Sequence, residues 1–285
     1  MIKVYYTRSE FDQYRKSINH KTIGLVPTMG NLHEGHLSLL AKSMAENDVS
    51  IMTIFVNPKQ FGPTEDFDKY PRTLDQDLTK IENLILKNND DKKEVIIFAP
   101  KSNDEIYPSG FSTTISIGDL KTKLCGKFRP IHFDGVTTVV YRLFAIAKAH
   151  NAYFGQKDFQ QCVIINKMIH DLEIPVKMHI EPIVRNSMGL ALSSRNQYLS
   201  DKELTEALHL PKTLKTIEKL IETKQDFHQY ISEELTRDQR WDYLEVLNAE
   251  NLEAVNATTQ NIVIVAAYRL GQTRLLDNIL VKNAR

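Results

Sequence analysis

Residues 27–36 decide the fold, and they read Pro27-Thr28-Met29-Gly30-Asn31-Leu32-His33-Glu34-Gly35-His36. The stretch lies between an apolar, β-prone run at residues 23–26 and a run in which apolar residues recur at helical spacing. Gly30 and Gly35 carry no Cβ, so the main chain can approach a ligand closely here. A strand, a turn and a helix start in this order predict a phosphate site, because unpaired N–H groups and the positive end of the helix dipole attract anions. His33 and His36 share one face of that first turn and add donors to it.

Two other interpretations of the histidine pair remain open. A metal pair is disfavoured, because zinc proteases place H-E-x-x-H on an established helix and the sequence shows no third ligand nearby. Surface or capping histidines are the ordinary alternative for such a pair. The flanking glycines, strand and helix argue against that alternative and favour the phosphate site.

The composition is that of an ordinary globular chain. Its 285 residues suffice for two domains, and a formal net charge of zero disfavours a dedicated nucleic-acid binder. No apolar run approaches the ~20 residues needed to span a bilayer, and the N-terminal residues lack a secretory pattern. These features predict a cytoplasmic protein that binds neither nucleic acid nor membrane. With only Cys125 and Cys162 present, a disulfide framework is not expected, and Cys162 is predicted to be a small buried hydrophobe.

Strands and helices alternate along the first 180 residues. Residues 49–56 read as a buried strand directly after the first helix, and the same pattern predicts strands at residues 95–99, 114–117, 152–155 and 176–180. Parallel strands of such β-α-β units place the loops at their carboxyl ends beside one ligand crevice. Gln60 follows the second strand and is therefore expected near the histidine turn, where its amide suits a hydroxyl, carboxylate or amine. A merely solvated glutamine is the equal alternative.

A further helix is predicted to begin at Thr73. Thr73 and Gln76 fit the T-x-x-Q capping box, and Asp75 and Asp77 complement the positive end of the helix dipole. Capping is the preferred role of Asp75. Asp77 is a weaker candidate to face a phosphate-bound magnesium ion.

Three more segments carry side chains suited to phosphate. Residues 121–129 are basic and predict either a mobile lid or a solvated loop. Lys157 lies at a strand-to-helix turn, where Asp158 is expected to cap the helix and Gln161 to occupy its third position. Residues 193–195 combine two hydroxyls with a guanidinium that can stabilise a leaving pyrophosphate.

The chain changes character near Glu181. Ser200 and Glu203 form a capping box before a helix predicted over residues 203–224, and another helix is predicted at residues 227–235. Alternating runs at residues 241–247, 262–268 and 274–281 predict antiparallel strands. The fold class is therefore α/β, with a Rossmann-like parallel-sheet N-terminal domain at residues 1–180 and a smaller α+β C-terminal lid domain at residues 181–285.

Six stretches carry a common family pattern, and they are residues 27–36, 55–61, 132–136, 154–158, 192–196 and 273–278. Together they resemble the pantothenate synthetase family, the pantoate:beta-alanine ligases, which belong with the class I aminoacyl-tRNA synthetase-like nucleotidyltransferases. The H-x-G-H element of that group corresponds to His33-Glu34-Gly35-His36. Its mobile second signature corresponds to residues 192–195.

The resemblance implies an ATP-dependent condensation of pantoate with beta-alanine to pantothenate. The pantoate carboxylate would attack the α-phosphate of ATP and give pantoyl adenylate and pyrophosphate. Beta-alanine would then attack the acyl group and release AMP. The resemblance also implies a homodimer and a Mg²⁺ ion that bridges the phosphates, with protein ligands unknown.

The resemblance further implies roles for single residues. Gln60 and Gln161 would hold pantoate, with Gln60 also near beta-alanine, and His36 would be the proton donor. Because the α-phosphate needs charge neutralisation more than a protein nucleophile, the residues expected to stabilise the departing pyrophosphate are His33, His36, Lys157 and Arg195. The residues implied to contact ATP are Met29, Gly30, Asn31, Leu32, His33, Glu34, Gly35, His36, Gly155, Gln156, Lys157, Asp158, Val184, Leu192, Ser193, Ser194 and Arg195.

Two residues depart from the family pattern. Ile131 stands where a glycine is common, and Gln76 stands where an acid is frequent, which weakens Asp77 as a metal contact. The alternative enzyme is a nucleotidyltransferase that adenylylates a phosphorylated substrate. An aminoacyl-tRNA synthetase is disfavoured by the short chain and the balanced charge. A non-enzymatic scaffold with a partner-binding second domain predicts no ATP turnover.

Overall fold

The computed structural model describes residues 2–63, 65, 67–88 and 93–282. The pattern of contacts divides the chain into two compact units. The first comprises Met1–Thr122, Gly126–Gly155 and Ile164–Glu181, and the second comprises Lys123–Cys125, Gln156–Val163 and Pro182–Arg285. The domains expected at residues 1–180 and 181–285 stay a prediction, because grouping by contact does not test whether either part folds alone.

The first unit is built on six parallel strands: β1 Ile2–Tyr5, β2 Ile23–Thr28, β3 Val49–Ile54, β4 Glu94–Phe98, β5 Asn151–Gly155 and β6 Lys177–Glu181. They pair in the order β1-β4-β3-β2-β5-β6. The chain therefore runs outward from β2 in one direction and returns to its other side with β5. Such a reversal opens a crevice at the carboxyl ends of the strands, and the turn at residues 27–36 begins there.

Helices connect these strands and cover the sheet: α1 Arg8–Ser17, α2 Glu34–Glu46, α3 Leu74–Lys87, α4 Cys125–Phe128, α5 His132–Ala147 and α6 Phe159–Asp171. Leu40 and Met44 of α2 and Ile81 of α3 share one apolar cluster with Val26 of β2 and Ile97 of β4. Cys162 on α6 is fully buried, as predicted. Among the helices that the structure describes, none has both the length and the apolar character to cross a bilayer.

The second unit packs three helices against an antiparallel sheet. Its helices are α7 Asp201–Ala207, α8 His209–Glu222 and α9 His228–Arg237, and its strands are β7 Trp241–Asn248, β8 Asn261–Leu270 and β9 Thr273–Lys282. The strands pair in the order β7-β8-β9. Ser200 and Glu203 form the predicted capping box. The predicted fold class, an α/β first part with a smaller α+β part, is therefore confirmed.

Two predicted elements are wrong. Residues 114–117 form no strand, because the main chain of Ile115 is bonded to α5 instead: its N–H donates to the Thr138 hydroxyl at 3.0 Å and its carbonyl accepts from Thr137 at 2.6 Å. The helix expected over residues 203–224 is interrupted at Leu208. Pro211 has no N–H to bond the carbonyl four residues earlier, and its ring crowds that carbonyl, so the first helix ends at Ala207.

Glu94 ties together three segments at the amino ends of the strands. It opens β4 and accepts from Lys3 of β1 at 3.0 Å and from Lys21, just before β2, at 2.9 Å. Partial burial raises the pKa of the Glu94 carboxyl, but the hydrogen bonds from Lys21 and Lys3 outweigh it and leave the pKa at about 2. This carboxylate is therefore charged across the physiological range.

We expect Glu94→Gln to lower the free energy of unfolding by about 1 kcal/mol at neutral pH, since the lysines are partly exposed. A carboxyl whose pKa is depressed on folding contributes stability above its ordinary value near 4.5 and loses it as the pH falls toward 2. Urea unfolding of both proteins between pH 7 and pH 2.5 measures the difference, which should shrink on acidification. Glu82→Gln, at an exposed position of α3, is the control. A pH-independent difference would contradict this assignment.

Candidate active site

The turn at residues 27–36 places two histidines at the start of α2. His33 is the N-cap residue, and its Nδ1 accepts from the Gly35 N–H at 3.1 Å. His36 Nδ1 accepts from the His33 N–H at 3.4 Å, and the two ring centroids lie 4.1 Å apart. Because both Nδ1 atoms accept, each neutral ring carries its hydrogen on Nε2. The predicted placement at the first helical turn is confirmed, and each Nε2–H is a donor suited to an anion.

A buried carboxylate from α3 holds this turn in shape. Asp77 is fully buried, and its Oδ1 accepts from the Leu32 N–H at 2.7 Å while its Oδ2 accepts from the Asn31 N–H at 2.9 Å. Gly30 and Asn31 both have positive φ, at 82° and 50°. A Cβ at position 30 would lie 3.1 Å from Asp77 Oδ2, so glycine fits both the conformation and the space. Lys80 adds a hydrogen bond of 2.6 Å to the Leu32 carbonyl.

These contacts correct two expectations about α3. Thr73 is the N-cap residue but makes no capping hydrogen bond, because its hydroxyl donates to Asp77 at 3.1 Å instead. The T-x-x-Q capping box is therefore wrong. Asp77 does not fit a magnesium ligand, since both of its oxygens accept hydrogen bonds and the residue has no exposed surface. Among the described residues, no cluster of three or more His, Cys, Asp or Glu could hold a metal ion.

Gln60 lies in a short 3-10 turn after β3 and is buried to 8% exposure. Its amide orientation follows from a chain of donors. The Tyr107 hydroxyl donates to Asn57 Oδ1 at 2.8 Å, so Asn57 Nδ2 is the donor to Gln60 Oε1 at 3.0 Å. Gln60 Nε2 then donates to Met29 Sδ at 3.0 Å, a weak acceptor. Burial raises the pKa of Tyr107 and keeps the hydroxyl protonated for this purpose.

In the second unit, Lys157 belongs to a 3-10 turn, Gln156–Asp158, that precedes α6. Asn278 of β9 holds this turn: its Nδ2 donates to the Gln156 and Lys157 carbonyls at 3.0 and 3.1 Å, and its Oδ1 accepts from Gln156 Nε2 at 2.9 Å. The Lys157 ammonium lies 3.3 Å from Asp158 Oδ1. Gln161 lies at the third position of α6, as predicted.

Asp277, the residue before Asn278 on β9, anchors the loop at residues 184–192. Asp277 is buried and makes a two-pronged ion pair with Arg185, at 2.6 and 2.7 Å. The loop closes on itself where the Leu192 N–H donates to the Val184 carbonyl at 2.9 Å. Ser193 caps the 3-10 turn Ser194–Tyr198 by accepting from the Arg195 N–H at 3.3 Å. Asp277 and Asn278 thus organise both predicted phosphate-binding segments of this unit.

The basic segment at residues 121–129 makes three ion pairs with carboxylates of the protein. Lys121 pairs with Asp134 at 2.8 Å, Lys123 pairs with Glu253, and Arg129 pairs with Glu65. Residues 124–126 are buried, so the fully solvated loop is wrong. The mobile lid stays a prediction.

The predicted site residues thus fall into two groups, one in each unit. The first contains Met29–His36 together with Gly155 and Gln60, and the Met29–Gln60 contact joins two of its segments. The second contains Gln156–Asp158, Gln161, Val184 and residues 192–195. Sequence reasoning did not find Asn57 or Tyr107 and did not foresee the role of Asp77. The Asn57-Pro58 dipeptide is a turn signal that could have drawn attention to Asn57.

We expect Asp77→Asn to destabilise the turn, because an amide cannot accept from both main-chain N–H groups with two oxygens. The free energy of unfolding should fall by about 2 kcal/mol, and the amides of Asn31 and Leu32 should exchange faster with solvent. Urea unfolding and hydrogen exchange measure these effects. Thr73→Val, which removes only the hydroxyl contact to Asp77, is the milder control. Unchanged exchange at both amides in Asp77→Asn would show that the carboxylate does not hold the turn.

Comparison with known proteins identifies the family of the chain. The family model of pantoate-beta-alanine ligase matches residues 3–280. The chain is 46% identical to a pantothenate synthetase of Acetivibrio thermocellus over 268 residues, 92% of either chain. It is 43% identical to that of Thermotoga petrophila, over 98% of this chain and 100% of the relative.

Solved structures agree with this result. A pantothenate synthetase from Thermus thermophilus superposes with a TM-score of 0.88 at 35% identity, covering 98% of this chain and 99% of the other. A pantoate-beta-alanine ligase from Francisella tularensis, complexed with beta-gamma ATP and beta-alanine, gives a TM-score of 0.77 at 33% identity and covers 98% of each chain. The resemblance inferred from the sequence is confirmed. The chain belongs to the pantoate-beta-alanine ligase family.

Proposed function

We propose that this chain condenses pantoate with beta-alanine in an ATP-dependent reaction that passes through pantoyl adenylate. The pantoate carboxylate attacks the α-phosphorus of ATP, forming the acyl–phosphate bond and expelling pyrophosphate. The beta-alanine amine then attacks the acyl carbon, the bond to AMP breaks, and pantothenate forms. Membership of the ligase family supports the reaction, and the Francisella tularensis relative supports ATP and beta-alanine as substrates.

The observation that carries the proposal is the histidine turn at the carboxyl edge of the parallel sheet. Two Nε2–H donors, a helix N-terminus and a glycine-lined main chain suit the polyphosphate of ATP. His36 has the further role of proton donor, with its hydrogen on Nε2. Because the α-phosphate is attacked by the substrate itself, the protein needs to position and neutralise charge rather than supply a nucleophile.

The predicted site residues also include two cations. Lys157 and Arg195 stabilise the negative charge that grows on the leaving pyrophosphate. Ser193, Ser194 and Leu192 contact the nucleotide from the same loop, and Val184 does so through the main chain. The hold of Asn278 on the Lys157 turn supports this role, because a preorganised charge needs no reorganisation at the moment of reaction.

Gln60 and Gln161 bind pantoate. The donor chain from Tyr107 through Asn57 leaves Gln60 Nε2 with the weak acceptor Met29 Sδ as its partner among the described residues, so this amide can donate to a stronger carboxylate or hydroxyl oxygen. Gln60 also lies near beta-alanine in the proposed site. Mg²⁺, implied by the family resemblance, would neutralise phosphate charge, and no group of three or more His, Cys, Asp or Glu among the described residues would hold it by protein ligands alone. A homodimer, implied by the family, also stays a prediction.

Product analysis tests the proposed reaction. With ATP, pantoate and beta-alanine together, we expect pantothenate, AMP and pyrophosphate in equal amounts. Without beta-alanine, each active site should release a single pyrophosphate, because pantoyl adenylate stays bound. Pyrophosphate without free AMP when ATP, pantoate and beta-alanine are all present would indicate a nucleotidyltransferase that leaves AMP on its substrate, and no ATP turnover would indicate a scaffold.

We further expect His36→Ala and Lys157→Ala to retain the fold but to slow pyrophosphate release at least tenfold, because each removes a donor to the developing charge. Single-turnover measurement at saturating ATP and pantoate gives the rate. The controls are His170→Ala and Lys167→Ala, which change the same residue types on the exposed part of α6. A near wild-type rate in either test variant removes that residue from the mechanism.

A further inference from the structure

The main-chain carbonyl of Gln60 accepts two hydrogen bonds from side chains near the start of α5. Arg129 Nη2 lies 3.2 Å from this oxygen, and His132 Nδ1 lies 3.0 Å from it. A carbonyl oxygen has two lone pairs, and the two contacts use both. The residue that presents its amide to pantoate is therefore also held at its main chain.

Arg129 is itself held by a carboxylate. Its Nε lies 3.0 Å from each oxygen of Glu65, and its Nη2 contacts one of them as well. Burial alone raises the pKa of the Glu65 carboxyl, but the Arg129 guanidinium outweighs burial and lowers that pKa below its ordinary value. The pair is therefore charged at neutral pH, and the guanidinium has a fixed orientation toward Gln60.

The partners of His132 define its tautomer. The Gln60 carbonyl can only accept, so Nδ1 carries a hydrogen. Arg129 Nη1 can only donate, and it lies 3.2 Å from Nε2, so Nε2 is unprotonated and accepts. His132 is thus a neutral ring that takes a hydrogen bond from Arg129 and passes one to Gln60.

A third contact to the main chain near Gln60 comes from Gly135. A Cβ on Gly135 would lie 2.2 Å from the Lys59 carbonyl oxygen and 2.6 Å from Gln60 Cα, so the first turn of α5 packs directly on this main chain. Asn57 Nδ2, which orients the Gln60 amide, also donates to the Gly135 carbonyl at 3.1 Å. The main chain and side chain of Gln60 are therefore fixed from the same helix.

We propose that Arg129 and His132 are positioning residues for pantoate, which hold the Gln60 carbonyl so that the Gln60 amide meets the substrate. Glu65 acts one step further out by fixing Arg129. The inference rests on the proposed pantoate-binding role of Gln60. We expect these residues to affect the binding of pantoate rather than of ATP, because both donate to the main chain of Gln60.

Substituting His132 by asparagine or by glutamine distinguishes a positioning role of its Nδ1 donor from simple packing. Asparagine places its Nδ2 near the position of the histidine Nδ1 and keeps the donor to Gln60, whereas glutamine places its amide near Nε2 and leaves the carbonyl short of one partner. We expect His132→Gln and His132→Ala to raise the KM for pantoate about fivefold or more, with the KM for ATP within twofold of wild type. His132→Asn should stay within twofold for both substrates.

The assay is initial-rate pyrophosphate release with the full-length protein, with thermal melting as the check on folding. Lys121→Gln breaks an ion pair to Asp134 in the same first turn of α5 and serves as the matched control. If His132→Ala fails to fold, the Asn and Gln variants decide alone. Equal behaviour of these two, or equal losses for ATP and pantoate, overturns the inference while the reaction stands. A wild-type protein that shows no pantoate-dependent release overturns the proposed function and this inference with it.

Discussion

A buried carboxylate controls the part of the structure on which the chemistry depends. Asp77 has no exposed surface, and an unpaired charge there would be strongly destabilising. It is compensated by the N–H groups of Asn31 and Leu32 and by the Thr73 hydroxyl. Those N–H groups belong to the segment between β2 and α2, in which Gly30 and Asn31 have positive φ. The carboxylate and the turn therefore stabilise each other, and the orientation of both histidines follows.

A similar arrangement recurs at two other predicted site residues. Asn278 holds the carbonyls beside Lys157, and Arg129 with His132 holds the carbonyl of Gln60. In each place, polar side chains from another part of the chain supply hydrogen bonds to the main chain of the loop. Loops can then present residues to ligands with the precision of the scaffold beneath them.

Local patterns predicted much of this architecture, and contacts between distant residues account for the rest. Strands β2 to β6 and the three antiparallel strands follow from apolar runs and alternation, whereas β1 and α1 were not predicted. Residues 114–117 alternate like a strand, but hydroxyls of α5 satisfy the Ile115 main chain. The histidine turn and the Lys157 turn were found because each is one continuous motif. Asp77 lies 45 positions from Leu32, and Asn278 lies 122 positions from Gln156, so no local signal connects these pairs.

The second unit is assembled from three separate stretches of chain, and this bears on how it folds. Residues 123–125 and 156–163 join it from within the sequence of the first unit. Cys125 contacts Tyr243, 118 positions away, and Asn278 bonds Lys157, 121 positions away. Closing such loops costs conformational entropy before any contact compensates for it, and a high average separation of contacts slows folding. The Lys157 turn makes three hydrogen bonds with the side-chain amide of Asn278, so its observed shape depends on β9 being in place.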